Sequence, residues 1–287
     1  MKIGIGLPNP VPGTPGTLLV EWAQRAEECG FSGLATIDRV VYPSHDSLIT
    51  LATAAGATTR IELATNILLG PIYSTVLLAK ATASIDRLSG GRFTLGLAPG
   101  GRADDYAAVG RDFHTRGRDF DVQLELLHRA WRGELLDANT KPVCPTPVRD
   151  SRVPVLIGGT TDRILRRIVE WGNGWSVSGG DPRQAAPMVE RVRNAWYEAG
   201  RDGKPRIVAL TYYSLGADAE DDSRSYVRDY YGFLGDYVDM IAEAALRSET
   251  AIRDAVRAFE SIGVTELYFD PTKASLDQID RLAEVVL

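Results

Sequence analysis

Residues 61–101, IELATNILLGPIYSTVLLAKATASIDRLSGGRFTLGLAPGG, decide the fold more than any other part of the sequence. The stretch predicts an apolar strand over 61–67, a helix over 75–88, a glycine-rich turn and a second apolar strand over 93–97. Nearly continuous hydrophobic strands joined by a helix are typical of a parallel sheet that is covered on both faces. The stretch therefore indicates one strand-helix-strand unit of an α/β protein.

The same alternation of strand and helix continues along the whole chain. The other strands are predicted at 2–7, 34–37, 154–157, 174–178, 206–215 and 264–269, and each is followed by helical periodicity. Eight parallel strand-helix units close a barrel, so the predicted fold class is α/β, a (β/α)8 TIM barrel in one domain over residues 1–287. A doubly wound open sheet is the alternative, but the first turn, PNPVPGTPG, lacks the GxGxxG spacing of a dinucleotide-binding fold.

Two regions exceed a simple strand-helix unit. Residues 134–152 are polar and rich in proline, which predicts a long loop. Residues 218–249 hold more helix than one unit needs, so we expect a helical excursion after the seventh strand. That region carries an aromatic patch consisting of Tyr226, Tyr230, Tyr231, Phe233 and Tyr237. We expect an extra helix packed on the barrel, and the alternative is a wall or lid over a substrate pocket.

Composition excludes several classes of function. The 287 residues carry a net charge of −6 and a pI near 5.2, which argues against a nucleic-acid-binding surface. No apolar run reaches transmembrane length, and MKIGIGLP begins directly as a strand, so we expect a cytoplasmic protein with no membrane partner. Cys29 and Cys144 lack CxxC spacing, which indicates reduced thiols. The three histidines are far apart in sequence, so no metal site is expected.

In a parallel barrel the active site lies at the C-terminal ends of the strands. The residues expected there are Asn9, Asp38, Arg39, Asn66, Ile67, Ala98, Pro99, Gly100, Gly158, Gly159, Thr160, Ser178, Gly179, Gly180, Tyr212, Tyr213 and Asp270. This set contains no nucleophile-base triad, no GxSxG motif and no glycosidase-like pair of carboxylates. A site rich in glycine and poor in acid-base groups indicates that a cofactor carries the difficult chemistry.

Four segments together resemble the luciferase-like oxidoreductase family. They are AQRAEECGFSGLATIDR, TTRIELATNILLGP, AKATASIDRLSGGRFTLGLAPGG and VPVLIGGTTDRILRRIVEWGNGWSVSG, in the family's order and spacing. The resemblance implies an enzyme in which a bound flavin exchanges hydride or electrons with a small organic substrate, with flavin mononucleotide (FMN) placed first. A deazaflavin (coenzyme F420) is the alternative cofactor, and a flavin-binding barrel without catalysis is a second alternative. Asp181 stands where deazaflavin sugar-phosphate dehydrogenases tend to carry Lys, which argues against a phosphorylated sugar.

The resemblance also implies where the cofactor lies. Asp38 is expected near the ring system, and Arg39, which replaces the family's usual His, is expected to stabilise a reduced anionic ring or to hold an anionic substrate. His114 is the candidate for a substrate contact or proton donor. A non-proline cis peptide is expected at Asn66-Ile67, where the family supports the central ring.

The phosphate end of the cofactor is expected at Gly158-Gly159-Thr160, with Ser178, Gly179 and Gly180 closing around it. Backbone amides at the start of the following helix provide a positive site for an anion. The alternative is that the two glycines form only a tight turn before that helix.

A homodimer is expected through the second and third helices. Leu48, Leu51, Leu77 and Leu78 offer more apolar surface than the inner faces of two barrel helices need.

Overall fold

The computed structural model describes residues 1–149, 151–177 and 180–287. Nine strand segments run parallel to one another and form a closed barrel, in the order β3-β2-β1-β9-β8-β7-β6-β5-β4 with a further pairing of β3 to β5. The segments are β1 Lys2–Gly6, β2 Gly33–Thr36, β3 Glu62–Thr65, β4 Leu68–Leu69, β5 Phe93–Ala98, β6 Val155–Gly158, β7 Gly174–Ser176, β8 Arg206–Tyr213 and β9 Glu266–Pro271.

The third barrel strand is interrupted. β3 and β4 both pair with β5, and Asn66 and Ile67 lie between them, so the two segments occupy one position in an eight-stranded barrel. The predicted (β/α)8 TIM barrel is therefore confirmed. The peptide bond between Asn66 and Ile67 is cis, which confirms that prediction as well.

Helices surround the barrel and follow the strands in sequence. They are α1 Gly16–Cys29, α2 Ser47–Ala57, α3 Thr75–Leu88, α4 Ala103–Ala108, α5 Arg116–Trp131, α6 Arg163–Trp171, α7 Pro182–Glu198, α8 Ala219–Tyr231, α9 Tyr237–Glu243, α10 Glu249–Ser261 and α11 Asp277–Val286. The helix of the seventh unit is α10, so α8 and α9 form the helical excursion that the sequence predicted. In the described part of the chain, no helix has both the length and the apolar character needed to cross a membrane.

The barrel has an outer and an inner core. The outer core lies between strands and helices and contains Trp22, Trp131 and Trp196, each almost fully buried. Inside the barrel, Ala35, Leu156, Val208 and Tyr268 form a separate apolar layer. Below that layer, at the N-terminal ends of the strands, the Arg206 guanidinium donates to both carboxylate oxygens of Glu266 at 2.7 Å and to the Thr94 hydroxyl at 2.9 Å. The interior is therefore filled, and a ligand can enter only at an end of the barrel.

Candidate active site

A cavity of about 990 Å³ lies at the C-terminal end of the barrel. This volume lies at the upper end of the range for small-molecule sites and gives room for a flat ring system together with a second molecule. Of the residues that the sequence predicted at this end of the barrel, six line the cavity: Asn66, Ile67, Gly158, Thr160, Gly180 and Tyr212. They come from the interrupted third strand, from the ends of β6 and β8 and from the loops after β6 and β7, so the fold brings together residues more than 100 positions apart.

Asn66 contributes a polar group to this cavity. The Ser176 hydroxyl donates a hydrogen bond of 2.6 Å to the Asn66 side-chain oxygen, which fixes the orientation of the amide. The Asn66 side-chain nitrogen is buried and has no hydrogen-bond partner within the described residues. Since an unpartnered buried donor costs about 1–3 kcal/mol, the amide is suited to an acceptor atom of a bound ligand.

The loop after β6 resembles an anion site in its geometry. Helix α6 begins at Arg163, and the first backbone hydrogen bond of this turn runs from the Ile164 N–H to the Thr161 carbonyl. The backbone N–H groups of residues 160–163 come before that bond, so they are not used by the hydrogen bonds of the helix. A Cβ on Gly158 would lie 3.1 Å from the Cβ of Ala98, which leaves little room for a side chain there. Ser178 and Gly179 lie outside the described residues.

Gly159 has a structural explanation of its own. Its φ is +118°, a left-handed conformation that favours glycine, and an added Cβ would lie 2.2 Å from the Ile164 Cδ1. Its carbonyl accepts a 2.9 Å hydrogen bond from the Trp175 indole. The tight turn therefore accounts for Gly159 without any ligand, and a Gly159→Val variant would test the backbone rather than the cavity. Gly180 is different because its φ is not in the left-handed region.

Asp38 is buried and hydrogen-bonded within the protein. One carboxylate oxygen accepts the Leu69 N–H at 3.0 Å, and both accept from the Tyr73 hydroxyl at 3.1 and 3.2 Å. Burial nevertheless raises the pKa of the Asp38 carboxyl to about 6 from 3.8. The side chain thus links the end of β2 to β4 and to the segment that follows it.

We expect this raised pKa to appear in the pH dependence of stability. The folded protein binds the Asp38 proton more tightly than the unfolded chain does. This group's contribution is therefore fully present below about pH 4 and is lost as the pH rises to about 6. Relative to Asp38→Asn, which does not titrate, the parent should gain up to ~3 kcal/mol between pH 7 and pH 4. Urea unfolding of both proteins at the two pH values measures this, and a difference independent of pH would contradict it.

None of the three predicted catalytic residues, Asp38, Arg39 and His114, is among the described residues that line the cavity. The Arg39 guanidinium donates to Asp104 at 2.8 Å and to Asp105 at 2.9 Å, and its side chain is only 6% exposed. These carboxylates engage the charge of Arg39 within the protein. His114 lies in an exposed 3-10 turn over Phe113–Thr115. Neither residue lines the cavity, and the proposed site does not include them.

The residues at the end of β5 and just after it do not line the cavity. The Ala98 Cβ lies next to Gly158, the Pro99 carbonyl accepts from the Tyr106 hydroxyl, and Gly100 packs on Leu69 with φ at +73°. None of the three is among the described lining residues. Their predicted contact with a cofactor is therefore not supported by this geometry.

Sequence reasoning found only part of one cavity wall, which the excursion and the end of β8 form. Tyr212 was expected there, and Tyr231 and Tyr237 belong to the aromatic patch. The residues that the sequence did not single out are Leu210, Thr211, Met240, Ile241, Glu243, Ala244 and Ala245. Of the aromatic patch, Tyr226 and Tyr230 are buried in a core beneath this wall, while Tyr231 and Tyr237 face the cavity. Both interpretations of the patch are thus partly correct, since the helices pack on the barrel and also form the wall.

Comparison with known proteins identifies the family. The family model described as luciferase-like monooxygenase matches residues 1–266. The chain belongs to this family. Among curated relatives, an uncharacterized protein of Mycobacterium tuberculosis is 27% identical over 234 residues, covering 71% of this chain and 80% of the relative. A 5,10-methylenetetrahydromethanopterin reductase of Methanolobus tindarius is 24% identical over 214 residues, covering 73% of this chain and 65% of the relative.

Solved structures of low sequence identity share the fold. An F420-dependent secondary alcohol dehydrogenase in complex with an F420-acetone adduct superposes with a TM-score of 0.78 at 17% identity, covering 99% of this chain and 98% of that one. The oxygenating constituent of 3,6-diketocamphane monooxygenase from Pseudomonas putida, in complex with FMN, gives 0.73 at 16% identity, covering 100% and 98%. Flavin and deazaflavin proteins therefore both occur among barrels of this shape.

Proposed function

We propose that this protein is an oxidoreductase that binds FMN in the C-terminal cavity and acts on a small organic substrate. The observation that carries the proposal is the unpartnered Asn66 amide nitrogen in a cavity large enough for a ring system. A bound flavin would supply hydride or electron transfer, a chemistry that amino-acid side chains do not provide and that proteins take from a cofactor. Membership of the luciferase-like family, whose members are flavin- or F420-dependent oxidoreductases, supports this assignment.

The lining residues suggest how the cofactor is held. Asn66 and Ile67 would contact the ring system, with the Asn66 N–H donating to a ring acceptor. Gly158, Thr160 and Gly180 would surround the phosphate end, where backbone amides before α6 favour negative charge. The side chain of Thr160 can add a hydrogen bond to a phosphate oxygen.

Charge at the cavity favours FMN over F420. F420 carries a longer, more strongly anionic tail than FMN. The described lining residues include the acidic Asp181 and Glu243 and the single cation Arg183, which pairs with Asp181 at 3.1 Å. The polyanionic tail of F420 would therefore find no net positive charge among these lining residues to attract it. F420 remains the alternative cofactor, since the Methanolobus relative carries the name of a reductase and two structural neighbours are named as F420-dependent.

Reoxidation of the reduced cofactor tests whether the protein is an enzyme. The protein is loaded with photoreduced FMN without oxygen and mixed with air or with neutral ketones, while the flavin absorbance is followed. We expect the protein to change the rate or the product of reoxidation relative to free flavin. If bound flavin is never turned over by any acceptor, the barrel binds flavin without catalysis and the proposal is wrong.

We also propose a homodimer, on partly different residues from those that the sequence suggested. Leu48, Leu51 and Leu78 are buried in the core, so they cannot form an interface. Ile49 on α2 and Leu77 on the neighbouring α3 are 69% and 67% exposed. Exposed apolar side chains on adjacent helices are typical of an association surface.

The dimer makes a prediction for light scattering. The parent at micromolar concentration should have the mass of two chains, and Ile49→Lys with Leu77→Lys should give one chain, because two buried charges would have no partners. Tyr197→Lys is the matched control, since Tyr197 is 85% exposed on α7, a helix that packs against α6 and α10 on another side of the barrel. A monomeric parent would refute the dimer and leave the cavity unaffected.

A further inference from the structure

The cavity wall formed by β8 and the excursion has its own chemistry. Residues of the excursion pack against Ile37, which follows β2, and against Tyr212 of β8. Met240 and Ile241 of α9 face the cavity. The polar groups of this wall are the tyrosine hydroxyls, the Thr211 hydroxyl and the exposed Glu243 carboxylate, which pairs with Arg224 at 2.6 Å. The other wall residues are apolar. If the cofactor lies on Asn66 and Ile67, the wall is the surface left to contact a substrate.

Two tyrosine hydroxyls meet at this wall. The hydroxyl oxygens of Tyr212 and Tyr231 are 2.8 Å apart, and both residues line the cavity. In such a pair one hydroxyl donates to the other, so the second hydroxyl keeps its hydrogen. Within the described residues the structure gives that hydrogen no other acceptor. The pair can therefore donate one hydrogen bond to a ligand oxygen, or accept one from a ligand hydroxyl.

The rings that carry these hydroxyls are held in place by their neighbours. The Tyr212 ring packs against Tyr226 with centroids 5.8 Å apart, and the Tyr231 ring packs edge-on against Tyr230 at 4.9 Å. The Arg102 guanidinium lies 5.3 Å from the Tyr231 ring centroid. Because tyrosine has few rotatable bonds and these contacts restrict them, little further ordering is needed when a ligand binds.

The charges around the wall disfavour an anionic ligand. Burial raises the pKa of both Tyr212 and Tyr231, so the hydroxyls stay protonated and neutral. Asp270 lies beside Tyr212 in the β8–β9 register, and burial raises its pKa as well. Arg183, the cation among the described lining residues, has a side chain 89% exposed to solvent and pairs with Asp181. The Arg102 guanidinium packs on the Tyr231 ring but is not among the described residues that line the cavity. A carboxylate or phosphate at the wall would therefore have to shed its water without an unpaired cation of the described lining to contact.

We propose that the substrate of this enzyme is an uncharged molecule with an apolar body and a carbonyl or hydroxyl oxygen, and that the Tyr212–Tyr231 pair binds that oxygen. The inference rests on the proposed function, which places the cofactor ring on Asn66 and Ile67. It concerns the opposite wall of the same cavity, formed by β8 and the excursion. Tyr212 and Tyr231 are then the residues that determine specificity.

Matched pairs of probes test the class of substrate. 2-octanone, cyclohexanone and acetophenone are compared with octanoate, cyclohexanecarboxylate and benzoate. Each is titrated into the FMN-loaded protein by flavin absorbance and into the cofactor-free protein by thermal shift. We expect at least one ketone to bind roughly tenfold more tightly than its carboxylate counterpart, since burying an unpaired charge is more costly than burying a ketone. If every ketone binds no more tightly than its counterpart, the proposal is overturned.

Variants test the role of the hydroxyl pair. Tyr231→Phe and Tyr212→Phe should each weaken ketone binding about tenfold, while leaving the affinity for FMN within about twofold. Tyr237→Phe is the control, because Tyr237 lines the same cavity but is 50% exposed and its hydroxyl forms no hydrogen bond within the described residues. Equal ketone affinity in Tyr231→Phe and the parent would overturn the role of the pair. If the parent protein binds neither FMN nor F420, the proposed function is refuted. The thermal shifts of the cofactor-free protein with ketones and carboxylates would still decide the substrate class.

Discussion

Gly180→Val should weaken FMN binding at least roughly 100-fold, about 2.7 kcal/mol, while leaving the fold intact. Gly180 lines the cavity, and its φ lies outside the left-handed region. Among the described residues, an added Cβ would meet only the Thr211 hydroxyl at 3.8 Å and the Leu210 carbonyl at 3.9 Å, which are ordinary contacts. The valine methyl groups would therefore occupy space that the cofactor needs without straining the backbone. Gly180→Ala should give a smaller loss.

A matched variant separates this effect from a general loss of stability. Gly56 on α2 is exposed, and a Cβ there would meet no described atom within 4 Å outside the backbone of its own helix. Gly56→Val should leave FMN affinity and the circular dichroism spectrum unchanged. If Gly180→Val binds FMN as tightly as the parent, the cofactor does not reach the loop after β7, and the placement of the phosphate end is wrong.

Glu266→Gln should destabilise the protein by roughly 3 kcal/mol, because it leaves the largely buried Arg206 guanidinium with only the more distant Glu62, at 3.8 Å, as a carboxylate partner among the described residues. The Glu266 side chain is 6% exposed and that of Arg206 is 27% exposed. Burial of the Glu266 carboxylate is compensated by two hydrogen bonds of 2.7 Å from Arg206. Urea unfolding at pH 7 measures the change in free energy.

The exposed pair of Glu249 and Arg253 provides the control for this ion pair. It is formed at 3.0 Å by side chains 65% and 48% exposed, so Glu249→Gln should cost less than about 0.5 kcal/mol. FMN affinity should not change in either variant, because Glu266 lies at the N-terminal end of the barrel, away from the cavity. A cost below about 1 kcal/mol for Glu266→Gln would show that solvent compensates Arg206.

The fold was predictable because its signal is local. Each strand is a short apolar run and each helix an amphipathic stretch, so their alternation along residues 61–101 and beyond could be counted. The resemblance to the luciferase-like family also rests on local motifs, and the family match confirms it. The cis peptide after Asn66 followed from that resemblance alone.

The orientation of individual side chains was not predictable in the same way. Arg39 follows β2, as a ligand-binding residue would, but Asp104 and Asp105, more than 60 residues later, engage its guanidinium. Leu48, Leu51 and Leu78 were assigned to an interface because the sequence does not show how much surface the barrel covers. Gly159 resembled a phosphate contact, yet Ile164 and a left-handed φ explain it. In each case the deciding contact is absent from the local pattern.

Equilibrium titration with FMN and with F420, each oxidised and reduced, tests the central claim most directly. We predict one molecule of FMN per chain with a Kd of roughly micromolar or below, about 8 kcal/mol of binding free energy, and weaker binding of F420. Tighter binding of F420 would correct the identity of the cofactor while keeping the site, provided that Gly180→Val still abolishes it. If neither compound binds in either redox state, the cavity at the C-terminal end of the barrel is not a flavin site.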